Sequence, residues 1–150
     1  MAERSADWIR QARRDLESAK AQKTGGFYEW ACFISQQASE KALKAVLQRA
    51  GAEAWGHSVI GLLQAARETL DVPVGLDDSG RYLDRYYIPS RYPNGWPSGS
   101  PADYITEKDA ENATDHSEKI VRFCNGFLAK QEDSRTENRE GDQDSGAKQT

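Results

Sequence analysis

The chain has 150 residues and a formal net charge of −4 at pH 7, and this length suits a single domain. The acidic balance excludes a broad basic surface of the kind that coats DNA, so contact with nucleic acid would need a local cluster of Arg and Lys. The N-terminal segment is charged throughout, and no stretch approaches the roughly 20 apolar residues of a membrane span. The sequence therefore predicts a cytoplasmic protein that binds neither membranes nor specific DNA sites.

The first two predicted elements are helices, because their apolar residues recur at steps of three and four. The first helix ends at a pair of glycines, and its apolar face consists of Ile9, Ala12, Leu16 and Ala19. The second helix is apolar over a broad arc from near Phe27 to Arg49, with Gly51 closing it. This wide apolar arc predicts that the second helix is the central helix of the fold.

Three more helices follow along the chain. The third is predicted from Ser58, a natural N-cap, to about Leu70. A short fourth helix is predicted within GRYLDRYY, and the last helix begins at Thr106 and Asp109, which have capping-box spacing. Because strand signals are absent, the predicted fold is all-α, an up-and-down bundle of four long helices plus one short helix.

The composition also bounds the folded part of the chain. Residues 131–150 contain no apolar side chain larger than that of Ala147, so we predict a helical domain over residues 1–130 and a disordered polar tail over 131–150. Cys32 and Cys124 lie far apart without metal-ligand spacing. They are therefore expected to be core residues, and no metal site is predicted.

A proline-rich segment separates the last two predicted helices. Its prolines recur every four residues, at Pro89, Pro93, Pro97 and Pro101. This density predicts a loop without helix or strand, and loops of this length inside compact domains are functional or disordered. Because the segment also carries Tyr92, Trp96 and Tyr104, we expect it to pack against the domain.

The short fourth helix and the proline-rich loop carry several arginines and tyrosines. Guanidinium groups bind phosphate through two parallel hydrogen bonds, and aromatic rings stack on bases. The candidate nucleotide- or RNA-binding residues are therefore Arg81, Arg85, Tyr86, Arg91 and Tyr92. We predict that the three arginines converge on one anion-binding hollow.

A structural interpretation of the same residues stays open. The acidic residues three or four positions from Arg81 can neutralise it in surface ion pairs, and these are Asp77, Asp78 and Asp84. The tyrosines can fill the core, as amphipathic aromatic residues often do.

Four segments in this order resemble the HEPN domain family over about residues 5–128: ACFISQQASEKALKAVLQRAG, GHSVIGLLQAA, RYLDRYYIPSRYPNGWPSG and YITEKDAENA. The resemblance implies a helical bundle that is frequently a homodimer and is frequently associated with a minimal nucleotidyltransferase, fused or encoded alongside. It also implies that the second helix borders the binding groove, which adds Lys41 and Lys44 as candidate ligand contacts.

Many proteins of this family are metal-independent ribonucleases whose motif is Arg, four to six residues, then His. That motif is absent here, since seven residues separate Arg49 from His57 and no Arg precedes His116 at the required distance. We therefore assign no catalytic residue, and no cofactor is implied. His57 is expected to form a hydrogen bond at a helix start and is kept as a candidate nucleotide contact, whereas His116 is expected to be structural.

The leading hypothesis is a dimeric module that binds a nucleotide or single-stranded RNA and acts with a minimal nucleotidyltransferase in a toxin–antitoxin-like pair. Two alternatives remain open. One is a divergent ribonuclease, and the other is a helical partner whose aromatic loop serves only to dock another protein.

Overall fold

The structure, a computed structural model, describes residues 3–146, with side chains described as far as residue 142. This part of the chain contains helices and no strand, which confirms the all-α prediction. The helices are α1 (Ser5–Thr24), α2 (Tyr28–Arg49), α3 (Val59–Arg67), α4 (Leu76–Asp84), α5 (Pro101–Tyr104) and α6 (Glu107–Gly146), with one 3-10 turn at Pro93–Gly95. Among residues 3–146, none of the helices combines the length and the apolar character that a membrane-spanning segment requires.

Helix α2 occupies the centre of the fold, as its broad apolar arc predicted, and it packs against α1, α3 and α6. Many of its buried side chains are small, including Ala31, Ala38, Ala42 and Ala45. Small side chains let the neighbouring helix backbones approach closely. Between α2 and α6, the buried Ser117 hydroxyl donates to the Ser35 carbonyl at 2.8 Å, so this buried donor has a partner on the neighbouring helix.

The two cysteines are core residues, as predicted, because both are fully buried. Burial raises the pKa of the Cys32 thiol to about 12 and also raises the pKa of the Cys124 thiol. Both thiols therefore stay protonated near neutral pH, a state in which a thiol is a poor nucleophile and metal ligand.

The start of α3 has two caps, of which the sequence predicted one. The predicted cap is Ser58, whose hydroxyl accepts a hydrogen bond from the Gly61 amide at 3.0 Å. The second is the Asp84 carboxylate at the end of α4, which accepts from the Val59 and Ile60 amides at 2.7 and 3.1 Å. A carboxylate is stabilised at this end of a helix because the free amides there carry partial positive charge. Asp84 thus joins the end of α4 to the start of α3.

Gly80 lets α4 lie close to α3. A Cβ atom at this position would lie 2.8 Å from Leu63 Cδ1 and 3.1 Å from the Ile60 amide nitrogen, which is closer than ordinary van der Waals contact. The missing side chain and the Asp84 cap together fix how α4 sits on α3. The position of α4 in turn sets the position of the residues that follow it, including Tyr87 and Arg91.

The proline-rich segment differs from the prediction in one respect. It contains the 3-10 turn and α5, so the prediction of a loop without helix was wrong. Pro101 begins α5, and a proline fits this position because the first turn of a helix needs no amide donor. The predicted packing against the domain is confirmed, since Trp96 packs against the hydrophobic core and α5 contacts α2. Within the segment, the Trp96 ring stacks on Tyr104 with centroids 4.3 Å apart, and its indole donates to the Pro89 carbonyl at 2.7 Å.

Helix α6 begins at the predicted capping box. The Asp109 amide donates to Thr106 Oγ1 at 3.2 Å, and the Thr106 amide donates to Asp109 Oδ2 at 2.9 Å. The helix then continues to Gly146, although disorder was expected from residue 131. The described side chains of 131–142 are all exposed, and Glu, Gln and Arg suit an exposed helix. The boundary of the folded domain at residue 130 stays a prediction, and residues 147–150 lie outside the described part.

Candidate nucleotide-binding site

A buried carboxylate on α2 organises a group of polar side chains. Glu40 is only 5% exposed, and its Oε1 lies 2.9 Å from both the Lys44 ammonium and His57 Nδ1. The side-chain amides of Gln36 and Gln37 donate to Oε2, each at 3.3 Å. Because an ionised carboxylate only accepts hydrogen bonds, all four groups act as donors. Glu40 therefore holds them in one arrangement.

The His57 ring is held at Nδ1 and on one face, whereas its Nε2 has no hydrogen-bond partner among the described residues. Its Nδ1 lies on Glu40, and its ring stacks on Tyr87 with centroids 5.0 Å apart and planes 17° apart. The Gln36 amide donates to the His57 carbonyl at 2.8 Å, which fixes the backbone as well. The side chain is 58% exposed, and within residues 3–146 its Nε2 forms no hydrogen bond. This nitrogen is available to a ligand.

The Arg91 guanidinium is held by aromatic rings. Its Cζ lies 4.2 Å from the centroid of Phe33, 4.8 Å from that of Tyr87 and 5.1 Å from that of Tyr92. Its Nε donates to the Tyr87 carbonyl at 2.9 Å. No carboxylate of the described residues lies within ion-pair distance of it. The ring faces attract the cation and leave its terminal nitrogens free to donate to an anion.

These two groups meet at Tyr87, since His57 and Arg91 both contact its ring. We call this group the α2 site, and it consists of Phe33, Glu40, Lys44, His57, Tyr87, Arg91 and Tyr92. It presents a guanidinium and an imidazole nitrogen beside aromatic surface, which suits an anion attached to a planar ring. Of the side chains that the structure describes, no three His, Cys, Asp or Glu are grouped so as to hold a metal ion.

A second cluster lies between α4 and α6, and we call it the α4–α6 junction. Ser79 Oγ lies 2.8 Å from His116 Nδ1, and the His116 ring packs 4.7 Å from the ring of Tyr82. The Tyr86 hydroxyl donates to the Tyr82 hydroxyl at 3.3 Å, and Arg85 lies over the Tyr82 ring at 5.7 Å. These contacts join the residues of the cluster to one another.

Burial dominates the electrostatics of the junction. It raises the pKa values of Tyr82 and Tyr86, because a phenolate loses hydration there. For the same reason it lowers the pKa of His116, with the Lys119 charge acting in the same direction. The tyrosines therefore stay neutral hydroxyl donors, and His116 favours its neutral form.

The candidate residues from the sequence lie in several places. The α2 site brings together Lys44, His57, Arg91 and Tyr92, whereas Arg85 and Tyr86 lie at the junction. Lys41 pairs instead with Asp15 on α1. The role of each residue in binding stays a prediction.

In the described part of the chain, the contacts of Arg81, Arg85 and Arg91 have no residue in common. These contacts therefore do not bring the three arginines to one hollow. Arg81 is paired with Asp78 at 3.8 Å on the surface. Asp77 pairs with Arg67 at 2.7 Å, and Asp84 caps α3. Only one of the three nearby acids therefore neutralises Arg81.

Sequence reasoning missed Phe33, Glu40 and Tyr87 as parts of the site. A signal was present, because Phe33, Gln36, Gln37, Glu40 and Lys44 recur at steps of one, three or four along α2. Polar residues at these steps inside an otherwise apolar arc indicate a polar group that faces another element. The partners from outside α2, His57 and Tyr87, carry no such signal.

The fold and the site define a class: an all-helical protein with a cationic and aromatic site beside its central helix. The sequence profile of the HEPN domain matches residues 5–127, so the chain belongs to the HEPN domain family. A protein of Methanocaldococcus jannaschii named "Putative toxin MJ1304" is 27% identical over 130 residues, which cover 81% of this chain and 86% of that protein.

Solved structures support the same assignment. TT1696 from Thermus thermophilus superposes with a TM-score of 0.80 at 43% identity and covers 83% of this chain and 98% of its own. ST0689, described as an archaeal HEPN homologue, gives 0.72 at 42% identity, with 85% and 99% covered. A HEPN domain protein from Thermotoga maritima, tm0613, gives 0.68 at 42% identity, with 82% and 98% covered.

Proposed function

We propose that this HEPN protein is a toxin-like binding module whose α2 site takes a nucleotide or single-stranded RNA. The observation that carries the proposal is Arg91, which three aromatic rings hold without a carboxylate partner in the described residues. A guanidinium kept in this way is positioned for an anion that none of the described residues supplies. The name of the M. jannaschii relative favours the toxin-like role.

The chemistry of the neighbouring groups favours a nucleotide over a simple anion. The terminal nitrogens of Arg91 can donate in parallel to two phosphate oxygens. His57, whose ring stacks on the same Tyr87, offers its Nε2 as a further contact. Tyr92 is 49% exposed, so part of this residue is accessible to a base. Stacking of a base on an aromatic ring contributes about 1–3 kcal/mol per base.

We further propose that the chain associates as a homodimer and acts with a minimal nucleotidyltransferase in a toxin–antitoxin-like pair. Large apolar side chains on a surface often indicate an interaction site, and Phe27 and Trp30 are 55% and 45% exposed at the start of α2. Trp30 packs edge-on against Phe33, so this surface continues into the α2 site. Light scattering of the wild type and of Trp30→Ala tests the association, and a monomeric wild type would contradict it.

Paired substitutions of two arginines test the binding site. Arg91→Ala removes the guanidinium of the α2 site, whereas Arg85→Ala removes one that lies over a tyrosine at the junction. A charge-assisted hydrogen bond contributes about 1.5–3 kcal/mol, so we expect Arg91→Ala to weaken binding of short single-stranded RNA about 10- to 100-fold by calorimetry at low salt. Arg85→Ala should weaken it much less.

Two results would contradict the proposal. One is the absence of binding by the wild type at low salt, and the other is an equal loss in both variants. The second result would favour instead a site that includes Arg81 on α4 and Arg85 just after it. Circular dichroism of each variant serves as the control that the helices are retained.

A divergent ribonuclease is the second candidate function, and the contact between Glu40 and His57 favours it. A histidine held by a carboxylate at Nδ1 can accept a proton at Nε2 from a ribose hydroxyl. Incubation of wild type and His57→Gln with end-labelled single-stranded RNA tests this. Cleavage that His57→Gln abolishes would support it, and intact RNA after long incubation with the wild type would exclude it for that substrate.

A further inference from the structure

We infer that His57 couples anion binding to proton uptake, so that the α2 site binds a phosphate group together with one proton. This inference rests on the proposed function, because it concerns the same ligand. The structural basis is the Glu40–His57 contact, which decides which nitrogen of the ring carries hydrogen when the ring is neutral.

The first step concerns the tautomer. Lys44, Gln36 and Gln37 all donate to the Glu40 carboxyl group, so the ionised carboxylate accounts for every contact that it makes. His57 Nδ1 must then carry the hydrogen of the 2.9 Å contact in both charge states of the ring. In the neutral ring, Nε2 consequently bears a lone pair and no hydrogen.

The second step concerns the ligand. A phosphate oxygen is an acceptor, and it meets an unfavourable lone pair when it approaches the neutral ring at Nε2. The protonated ring offers an N–H at this position and a positive charge, so it forms a charge-assisted hydrogen bond. An anion at Nε2 therefore binds the protonated ring preferentially. Where the His57 ring is neutral before binding, it takes up a proton when the anion binds.

Charged groups surround the ring on several sides. The Glu40 carboxylate contacts Nδ1, and the Lys44 ammonium lies on the same carboxylate oxygen. Tyr87 covers one face of the ring, and the Arg91 guanidinium lies on the same tyrosine. Asp84 lies beside the neighbouring Ser58, where the α3 amides already bind it. Histidine ordinarily changes charge between pH 5 and 8.

A ligand that does not itself titrate isolates this effect. We choose a 2′-O-methylated hexaadenylate RNA without terminal phosphates, because its diester phosphates keep their charge from pH 6 to 8 and the blocked hydroxyls prevent cleavage. Binding is measured by calorimetry at pH 7 in two buffers with different ionisation enthalpies. We expect net proton uptake and an affinity on the order of tenfold higher at pH 6 than at pH 8.

Three substitutions assign the proton. His57→Gln should abolish the uptake and flatten the pH dependence, whereas His116→Gln, which replaces the histidine of the junction, should change neither. Glu40→Gln offers an amide that can donate to Nδ1, so the neutral ring gains an Nε2–H and the affinity at pH 8 should approach that at pH 6. If Glu40→Gln does not fold, the two histidine variants still decide the question.

Long-range proton–nitrogen NMR tests the tautomer without any ligand. At pH 8.5 the His57 ring should show hydrogen on Nδ1, and hydrogen on Nε2 would overturn the inference. Binding without proton uptake, or uptake that persists in His57→Gln, would also overturn it while leaving the proposed function intact. Absence of binding at every pH, with the Nδ1 tautomer confirmed, would overturn the proposed function and, with it, the coupling of anion binding to proton uptake.

Discussion

The two histidines of the chain occupy contrasting regions. At the α2 site, His57 contacts a buried carboxylate on one side and is exposed on the other. At the α4–α6 junction, His116 contacts the buried Ser79 hydroxyl and packs under Tyr82, where burial lowers its pKa. One ring is held with a free nitrogen, and the other is part of the packing between two helices.

The comparison shows that the role of a side chain depends on its contact partner and its exposure more than on its residue type. Both regions contain a histidine, tyrosines and an arginine over an aromatic ring. Only the α2 site adds a buried ionic centre and leaves its guanidinium and imidazole open. Function is therefore proposed for the α2 site, and the junction is interpreted as a structural contact.

Removing the buried carboxylate should give the largest effect on stability. Glu40→Ala leaves the Lys44 ammonium and two glutamine amides without their acceptor, and loss of one partner of a buried ion pair costs about 3–5 kcal/mol. Because Lys44 keeps some contact with water, we expect about 3 kcal/mol less stability by urea unfolding. The matched substitution at the junction, Ser79→Ala, removes one neutral hydrogen bond and should cost about 1 kcal/mol. Equal losses would contradict the contrast between the two regions.

Displacing the helix shared by both regions should have an intermediate effect. Gly80→Ala places a methyl group against Leu63 and the Ile60 backbone, and overpacking of this kind costs about 1–3 kcal/mol. Since α4 leads into Tyr87 and also carries Tyr82, the aromatic side-chain NMR signals of both regions should shift. Shifts confined to one region would show that α4 does not position the two together.

The smallest expected effect is a pH dependence at the junction. Above pH 6.5, the ordinary value for histidine, His116 is neutral in both the folded and the unfolded chain. Below it, the unfolded chain binds a proton that the folded chain resists, because the folded pKa is lowered, so stability is lost as the pH falls. His116→Gln should therefore lose less stability than the wild type between pH 7.5 and 5.5 in urea unfolding. An identical loss in both proteins would contradict the buried, neutral assignment.

Much of the fold was predictable because its signals are local. Ser58 as the cap of α3 and Thr106 with Asp109 at the start of α6 are encoded within one helical turn. The central position of α2 follows from its apolar arc. The helical turns within the proline-rich segment were missed because proline density favours a loop, although a proline at the first position of a helix is compatible with it.

The candidate site was only partly predictable. Sequence reasoning named Lys44, His57, Arg91 and Tyr92, but it grouped Arg91 with Arg81 and Arg85 because these residues are close in sequence. In the structure, Tyr82 and Tyr86 contact one another, and the Tyr82 hydroxyl donates to the Asp109 carbonyl on α6, whereas the Tyr87 ring packs against Phe33 on α2. Adjacent residues on a helix and its extension point in different directions, so neighbours in sequence joined different clusters.

By itself, the sequence determined the helical class, the helix starts and the residues available for an anion site, because periodicity and capping act over three or four positions. Only the tertiary structure decided that Glu40 would be buried beneath His57 and that Arg91 would lie among Phe33, Tyr87 and Tyr92. Those contacts depend on how α4 seats on α3 and α2, and the packing of distant surfaces, rather than local backbone preference, sets that arrangement.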